Sequence, residues 1–158
     1  MDVIRDLFDP SKPIDRRIEK VITYDATNED LLRREVQEYV ATESIEDHFD
    51  RMLDRLEQGM GGDHEVEVGV WVSGFYGSGK SSFTKYLGFA LDPHRKIDEK
   101  PFLQWLQNQF SSGQLRQRLA AIAKRFPSAV IMLDLASEML AGATMAEISS
   151  VLYAKVMQ

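Results

Sequence analysis

The sequence predicts an α/β fold with part of a parallel sheet, a helical lead-in before the sheet and a helical insert within it. Two buried strands are expected, at residues 65–73 and 129–134, because both runs are rich in β-branched or apolar residues. A glycine-rich loop at residues 74–81 follows the first run and precedes an amphipathic helix at residues 82–91. A strand, a loop and a helix in this order are typical of one unit of a parallel sheet.

Apolar periodicity predicts the other elements. Apart from the helix at residues 82–91, the expected helices cover residues 29–42, 44–58, 102–110 and 114–126, and a last one begins at residue 144. Ser44 is the expected N-cap of the second helix, since Asp47 lies three residues later. Ile18, Val21 and Ile22 could form a short strand near the N-terminus. Residues 92–101 are polar and are expected to be irregular.

Composition excludes several classes of function. Lys and Arg total 19 against 25 Asp and Glu, so the net charge of −6 gives no general basic surface for nucleic acid or anionic lipid. The chain has no cysteine, which excludes disulfides, thiolate metal sites and a cysteine nucleophile. Its three histidines stand apart and predict no metal site. The apolar run at residues 129–133 is far shorter than the ~20 residues of a membrane span, so a cytoplasmic protein is expected.

One motif carries chemistry. Residues 74–81 match the pattern G-x-x-x-x-G-K-[ST], in which backbone N–H groups cradle phosphates at the start of a helix. Lys80 is the candidate catalytic residue because it would reach the β- and γ-phosphates, and the Ser81 hydroxyl would bind Mg²⁺. ATP and Mg²⁺ are therefore the expected cofactors. The predicted nucleotide-binding residues are Gly74, Phe75, Tyr76, Gly77, Ser78, Gly79, Lys80, Ser81 and Ser82.

A second acidic residue would complete a nucleotide hydrolase. Asp134 ends the second expected strand and could hold the magnesium ion. An acidic residue is also common at a strand end, and no glutamate follows to position water, so a structural role is favoured. A basic cluster on the helix at residues 114–126 is interpreted as a solvated face rather than a DNA contact. It consists of Arg116, Arg118, Lys124 and Arg125.

The motif and its surroundings resemble the P-loop ATPase family of BREX bacteriophage-defence systems (BrxC or PglY). The resemblance is carried by residues 69–83, by residues 4–8 and 14–18, and by residues 38–42 before the Ile-x-x-His-Phe segment at residues 45–49. Tyr76 and Ser82 depart from the phenylalanine and histidine usual in the family. Two strands make too little sheet for such a core, so the chain is expected to be the N-terminal piece of a longer protein.

The resemblance implies a P-loop NTPase core of the AAA+/ORC-like branch. Residues 1–62 would be a helical N-terminal lead-in packed on this core, and residues 63–158 would be the first part of the core. Independently of the resemblance, the helices at residues 29–58 are amphipathic and too short to stay folded alone, so they are expected to pack on the core through Tyr39, Phe49 and Leu53. The strand at 129–134 would then precede the Walker B strand, which would lie beyond residue 158, and Asp134 would not be the Walker B acid.

The same resemblance implies ATP hydrolysis coupled to remodelling of a defence complex or DNA in the bacterial cytoplasm. The expected partners are the methyltransferase and PglZ-type components of BREX. DNA and further copies of the chain are additional candidate partners. Two alternatives stay open. A small P-loop metabolite kinase is disfavoured, because its loop usually lies close to the N-terminus and no arginine-rich lid follows here. The other is a non-catalytic assembly module.

Overall fold

A computed structural model describes residues 28–60 and 69–133, together with the single positions 150, 153 and 157. The elements are α1 (Glu29–Gln37), α2 (Glu43–Met60), α3 (Lys80–Leu91), β1 (Lys96–Ile97), β2 (Lys100–Pro101), α4 (Phe102–Gln107) and α5 (Gly113–Arg125). The expectations for the strand at residues 18–22, for residues 61–68, for Asp134 and for the start of a helix at residue 144 lie outside the described residues. None of the described helices has both the length and the apolar character needed to cross a membrane.

The α/β prediction with a parallel sheet is wrong. The described residues are mostly helical, and their only sheet is the antiparallel pair β1 and β2, with Lys96 opposite Pro101. Residues 69–73 and 129–133, the described parts of the two expected buried strands, pair with no strand among these residues. A parallel-sheet core of the P-loop NTPase type is therefore not the fold found here.

The pattern at residues 129–133 has another physical cause. Val130 and Met132 pack against the helical core, and a side chain at Gly88 of α3 would clash with Met132. Ile131 between them is 41% exposed. Alternate burial thus arises from packing against a helix and needs no neighbouring strand. At the other expected strand, Trp71 is 90% exposed, so the apolar run is not buried.

The hairpin replaces a segment that was expected to be irregular. Its two turn residues, Asp98 and Glu99, have φ angles of 49° and 60°, as a two-residue hairpin turn requires. The glycine that usually signals such a turn is missing from the sequence. Contacts with α1 hold it instead: Arg33 donates from Nε to Asp98 at 2.8 Å, and the Asp98 N–H donates to Glu29 at 3.3 Å.

Helix ends differ from the sequence prediction where tertiary contacts intervene. The second helix begins at Glu43, and Thr42 is at its N-terminal end, accepting from the N–H of Ile45 at 3.4 Å, so Ser44 is not the N-cap. At α5, Ser112 caps the helix by accepting from the N–H of Leu115. The buried carboxylate of Glu46 in α2 accepts from the N–H groups of residues 111 and 112, which ties α2 to the start of α5.

The helices α1 to α5 of the described ranges all contribute to one apolar core. Phe49 of α2 is fully buried, with its ring 4.4 Å from that of Phe83 in α3 and 5.0 Å from that of Phe110. Leu53 is also fully buried, and Tyr39 contacts Tyr86 edge to face at 4.8 Å. This packing fixes α2 beside the first turn of α3, where the glycine-rich loop ends.

Candidate functional site

The glycine-rich loop turns sharply into α3. Residues 76–79 form the turn, and the N–H of Ser78 donates to the carbonyl oxygen of Phe75 at 3.2 Å. Gly77 and Gly79 have φ angles of 77° and 82°, which a residue with a side chain would adopt only under strain. The two glycines therefore allow the chain to enter the helix directly at Lys80.

The N-terminus of α3 is open to a ligand. Gly79 occupies the N-cap position, and no side chain caps this end. The first N–H groups of a helix have no partner within the helix, and together with the helix dipole they attract anions. The first turn consists of Lys80, Ser81 and Ser82, and Ser81 is exposed. Its hydroxyl and the N–H groups thus supply hydrogen-bond donors beside the loop.

Lys80 is held by the loop that precedes it. Its Nζ donates to the carbonyl oxygen of Phe75 at 2.7 Å and lies 3.5 Å from the hydroxyl oxygen of Ser78. Both acceptors are neutral, and no carboxylate of the described residues pairs with Lys80. The ammonium group therefore lies at the loop, and the described part of the chain supplies no counter-ion for it.

The loop forms one wall of a cleft of about 650 Å³, a volume in the usual range for small-molecule sites. Five of the nine predicted nucleotide-binding residues line this cleft: Gly74, Phe75, Ser78, Gly79 and Lys80. Tyr76, Gly77, Ser81 and Ser82 do not line it. The start of the loop and Lys80 therefore lie in the wall of the cleft. Ser81 and Ser82 belong to the first turn of α3 and lie outside that wall.

The opposite wall comes from α2, which the sequence analysis did not include in the site. It contributes Ser44, His48, Arg51 and Arg55, with Ile45 and Met52 beneath them. One edge of the charged face of α2 therefore lines the cleft. Spacings of four, three and four residues place the polar members on a single helix edge. That spacing is a signal in the sequence, but it does not show which surface the edge meets.

Two tyrosines lie where the helices meet near the cleft. Tyr39 lines the cleft, and burial raises its pKa to about 12. Burial also raises the pKa of Tyr86, and the negative charge of Glu35 adds to that shift. Both phenols are therefore neutral across the physiological range, so the cleft gains no negative charge from them.

The residues of this site fit a magnesium ion only if the ion is bound together with a phosphate group. No carboxylate of the described residues lines the cleft, and no three His, Asp or Glu side chains among them form a metal-binding group. Ser81 would offer a single hydroxyl oxygen. Mg²⁺ usually takes most of its ligands from phosphate oxygens and water, so such a site is chemically adequate. Asp134, the other candidate ligand, lies outside the described residues.

No protein-family model matches this chain, and no solved structure matches it. The chemistry of the site is therefore argued from its own residues. The cleft combines backbone N–H donors at a helix N-terminus with cationic side chains from two helices, and its described lining has no carboxylate. This combination suits an anion that carries several negative charges.

Proposed function

We propose that residues 74–81 bind the phosphate groups of a nucleotide, and that this nucleotide is ATP accompanied by Mg²⁺. The observation that carries the proposal is the position of Lys80. Its ammonium group lies over the loop with only neutral acceptors, at the residue where an uncapped helix begins. A phosphate group would supply the counter-charge for Lys80 and accept hydrogen bonds from the first turn of α3.

The choice of ATP and the biological setting are supported by the resemblance to BREX P-loop ATPases. We propose on that basis that the chain acts in phage defence with methyltransferase and PglZ-type components, as part of an oligomer and with DNA as a further partner. These partners are proposed from family likeness alone. The nucleotide-binding proposal is independent of them, because it rests on the loop, Lys80 and the cleft.

Each group has a separate role in the proposed complex. Lys80 would neutralise the terminal phosphates, and the N–H groups of the loop and helix would orient them. The Ser81 hydroxyl would be the protein ligand of Mg²⁺, whose charge offsets that of the phosphates. The apolar lining, including Trp71 and Phe83, would exclude water from one side of the ligand.

Nucleotide binding can be tested with the Lys80→Ala variant. Among the described residues the Lys80 ammonium is bonded to the loop alone, so removal of this side chain should leave the melting temperature without nucleotide nearly unchanged. A ligand at 100 times its Kd stabilises a folded protein by about 2.7 kcal/mol, so MgATP should raise the melting temperature of the wild type clearly. Lys80→Ala should lose most of this stabilisation. The matched control is Lys124→Ala, which removes an exposed lysine of α5 outside the cleft.

A second measurement locates the bound nucleotide. Trp71 lines the cleft and is 90% exposed, whereas the indole N–H of Trp105 is bonded to the carbonyl oxygen of Ile97. Addition of MgATP should therefore change the fluorescence of Trp71, and a Trp71→Phe variant should lose the change. If MgATP stabilises the wild type and Lys80→Ala equally, the phosphate role of the loop is wrong.

Hydrolysis by this chain is expected to be very slow. Phosphoryl transfer needs a positioned water and further charge neutralisation, and no carboxylate of the described residues lines the cleft. Release of phosphate from MgATP should therefore stay far below the ~1–100 s⁻¹ typical of kinases. Turnover in that range would contradict the expectation and would show that a further acid acts on the bound nucleotide.

A further inference from the structure

Helix α2 carries opposite charges on two of its edges. Its acidic edge consists of Asp50, Asp54 and Glu57, which contact Arg118 and Arg125 of α5. Its basic edge consists of His48, Arg51 and Arg55, which line the cleft. The acidic edge thus faces α5, and the charge that α2 presents to the cleft is positive despite the net charge of −6.

The two arginines of the basic edge have no counter-ion within residues 28–60 and 69–133. The hydrogen bond of Arg51 runs from Nε to the carbonyl oxygen of Asp47 in its own helix, at 3.3 Å. Arg55 forms no ion pair with any residue of the described ranges, and neither does Arg51. Lys80, on the facing wall, is bound only to neutral oxygens. Three cations without a counter-ion among the described residues thus share one cleft, where they repel one another and favour the entry of an anion.

The dimensions and chemistry of the cleft select the kind of anion. A volume of about 650 Å³ accommodates a ligand of nucleotide size, and the cations lie on both walls. A ligand bound by Lys80 alone would use one wall. Arginine side chains bind phosphate oxygens through forked hydrogen bonds, and the fork suits a phosphate chain that extends away from the loop.

We propose that Arg51 and Arg55 form the second half of the polyphosphate site and make the cleft prefer a nucleoside triphosphate to a diphosphate. This inference rests on the proposed nucleotide binding at residues 74–81. The loop and Lys80 hold the phosphate chain from one wall. The two arginines hold it from α2, and the additional phosphate of the triphosphate supplies the charge that they compensate.

The test compares the affinities of the full chain for MgATP and MgADP by calorimetry. The double variant Arg51→Gln/Arg55→Gln should lose at least tenfold in affinity for MgATP and clearly less for MgADP, because it removes charge-assisted hydrogen bonds to the additional phosphate. Both side chains are exposed, so the melting temperature without nucleotide should be unchanged. Arg55→Lys, which keeps the charge without the fork, should lie between the wild type and Arg55→Gln.

The control is Arg116→Gln, which removes one exposed arginine of α5 outside the cleft and should bind both nucleotides like the wild type. If the double variant also binds both like the wild type while Lys80→Ala binds neither, the arginines have no role and the loop proposal stands. Equal losses for MgATP and MgADP would overturn the triphosphate preference. A wild type that binds neither nucleotide would overturn both proposals.

Discussion

The ammonium of Lys85 lies 2.7 Å from a carboxylate oxygen of Glu35, and this ion pair joins α3 to α1. The side chain of Lys85 is only 2% exposed, whereas that of Glu35 is 20% exposed. The lysine is followed in α3 by the buried residues Tyr86 and Leu87. Its charge therefore depends on Glu35 for compensation, while Glu35 keeps some access to water.

This asymmetry predicts unequal effects of removing either partner. Glu35→Ala should lower the free energy of unfolding by about 3 kcal/mol, because it leaves a buried charge without a partner. Lys85→Met should lower the free energy of unfolding less, by a margin of about 1 kcal/mol or more. The methionine fills the space with an apolar chain, and the carboxylate left behind can reach water. Urea unfolding measures both. Gln37→Ala, at an exposed site in α1, serves as the control, and equal losses for the two variants would contradict the argument.

The buried tyrosines predict a loss of stability at high pH. Burial raises the pKa of Tyr39 to about 12 from its ordinary value of 10.0, so between these values the unfolded chain loses the phenolic proton first. The contribution of Tyr39 is fully present below pH 10 and is lost as the pH rises towards 12. Burial shifts the pKa of Tyr86 in the same direction.

Urea unfolding between pH 8 and pH 11 tests this dependence. Tyr39→Phe should reduce the loss of stability above pH 10, because the variant has no phenolic proton to release. Tyr76→Phe is the matched control, since its side chain is 97% exposed and stays in water in both states. The interpretation is wrong if the two variants show the same pH dependence.

The hairpin turn predicts a stabilising substitution. Glu99 has a φ angle of 60°, a conformation that costs a residue with a Cβ atom roughly 1–2 kcal/mol. Glu99→Gly should therefore raise the free energy of unfolding by about 0.5–1 kcal/mol, after the greater flexibility of glycine in the unfolded chain is subtracted. Glu99→Ala keeps the strain and should give no gain. Asp98 is unsuitable for this test because Arg33 and Glu29 bind it.

Local patterns predicted the helices well and the sheet badly. The apolar spacing of α4 and α5 depends on one helix face meeting the core, and the motif at residues 74–81 depends on the local conformation of glycines. Strand pairing is a relation between distant segments. The apolar run at residues 129–133, which indicated a buried strand, is explained by Val130 and Met132 packing against the helical core.

The candidate site divides in the same way. Lys80 and the glycines before it were predicted, since they are adjacent in sequence. Arg51 and Arg55 were missed, because their position opposite the loop depends on tertiary packing, such as that of Phe49 against Phe83, and not on adjacency in sequence. The arginines of α5 were interpreted as a solvated face, whereas Arg118 in fact binds carboxylates of α2. A charge pattern on one helix does not reveal its partner.

Arg118 links α5 to three carboxylates of α2, at 2.8 Å from Asp50, 2.9 Å from Asp54 and 3.4 Å from Glu57. Hydrogen bonds to Asp50 and Asp54 raise the pKa of its guanidinium, so the charge is kept at every accessible pH.

Arg118→Gln should lower the free energy of unfolding by roughly 1–2 kcal/mol in low salt, because several partly exposed pairs are lost together. The loss should shrink in 1 M NaCl, where the Debye length is about 3 Å. Arg125→Gln is the control, since that side chain is 60% exposed and its ion pair among the described residues is a 3.5 Å contact with Glu57, so its loss should depend little on salt. Urea unfolding at both salt concentrations measures this loss. A loss of equal size in 1 M NaCl would mean that Arg118 stabilises the helix pair by packing rather than by charge.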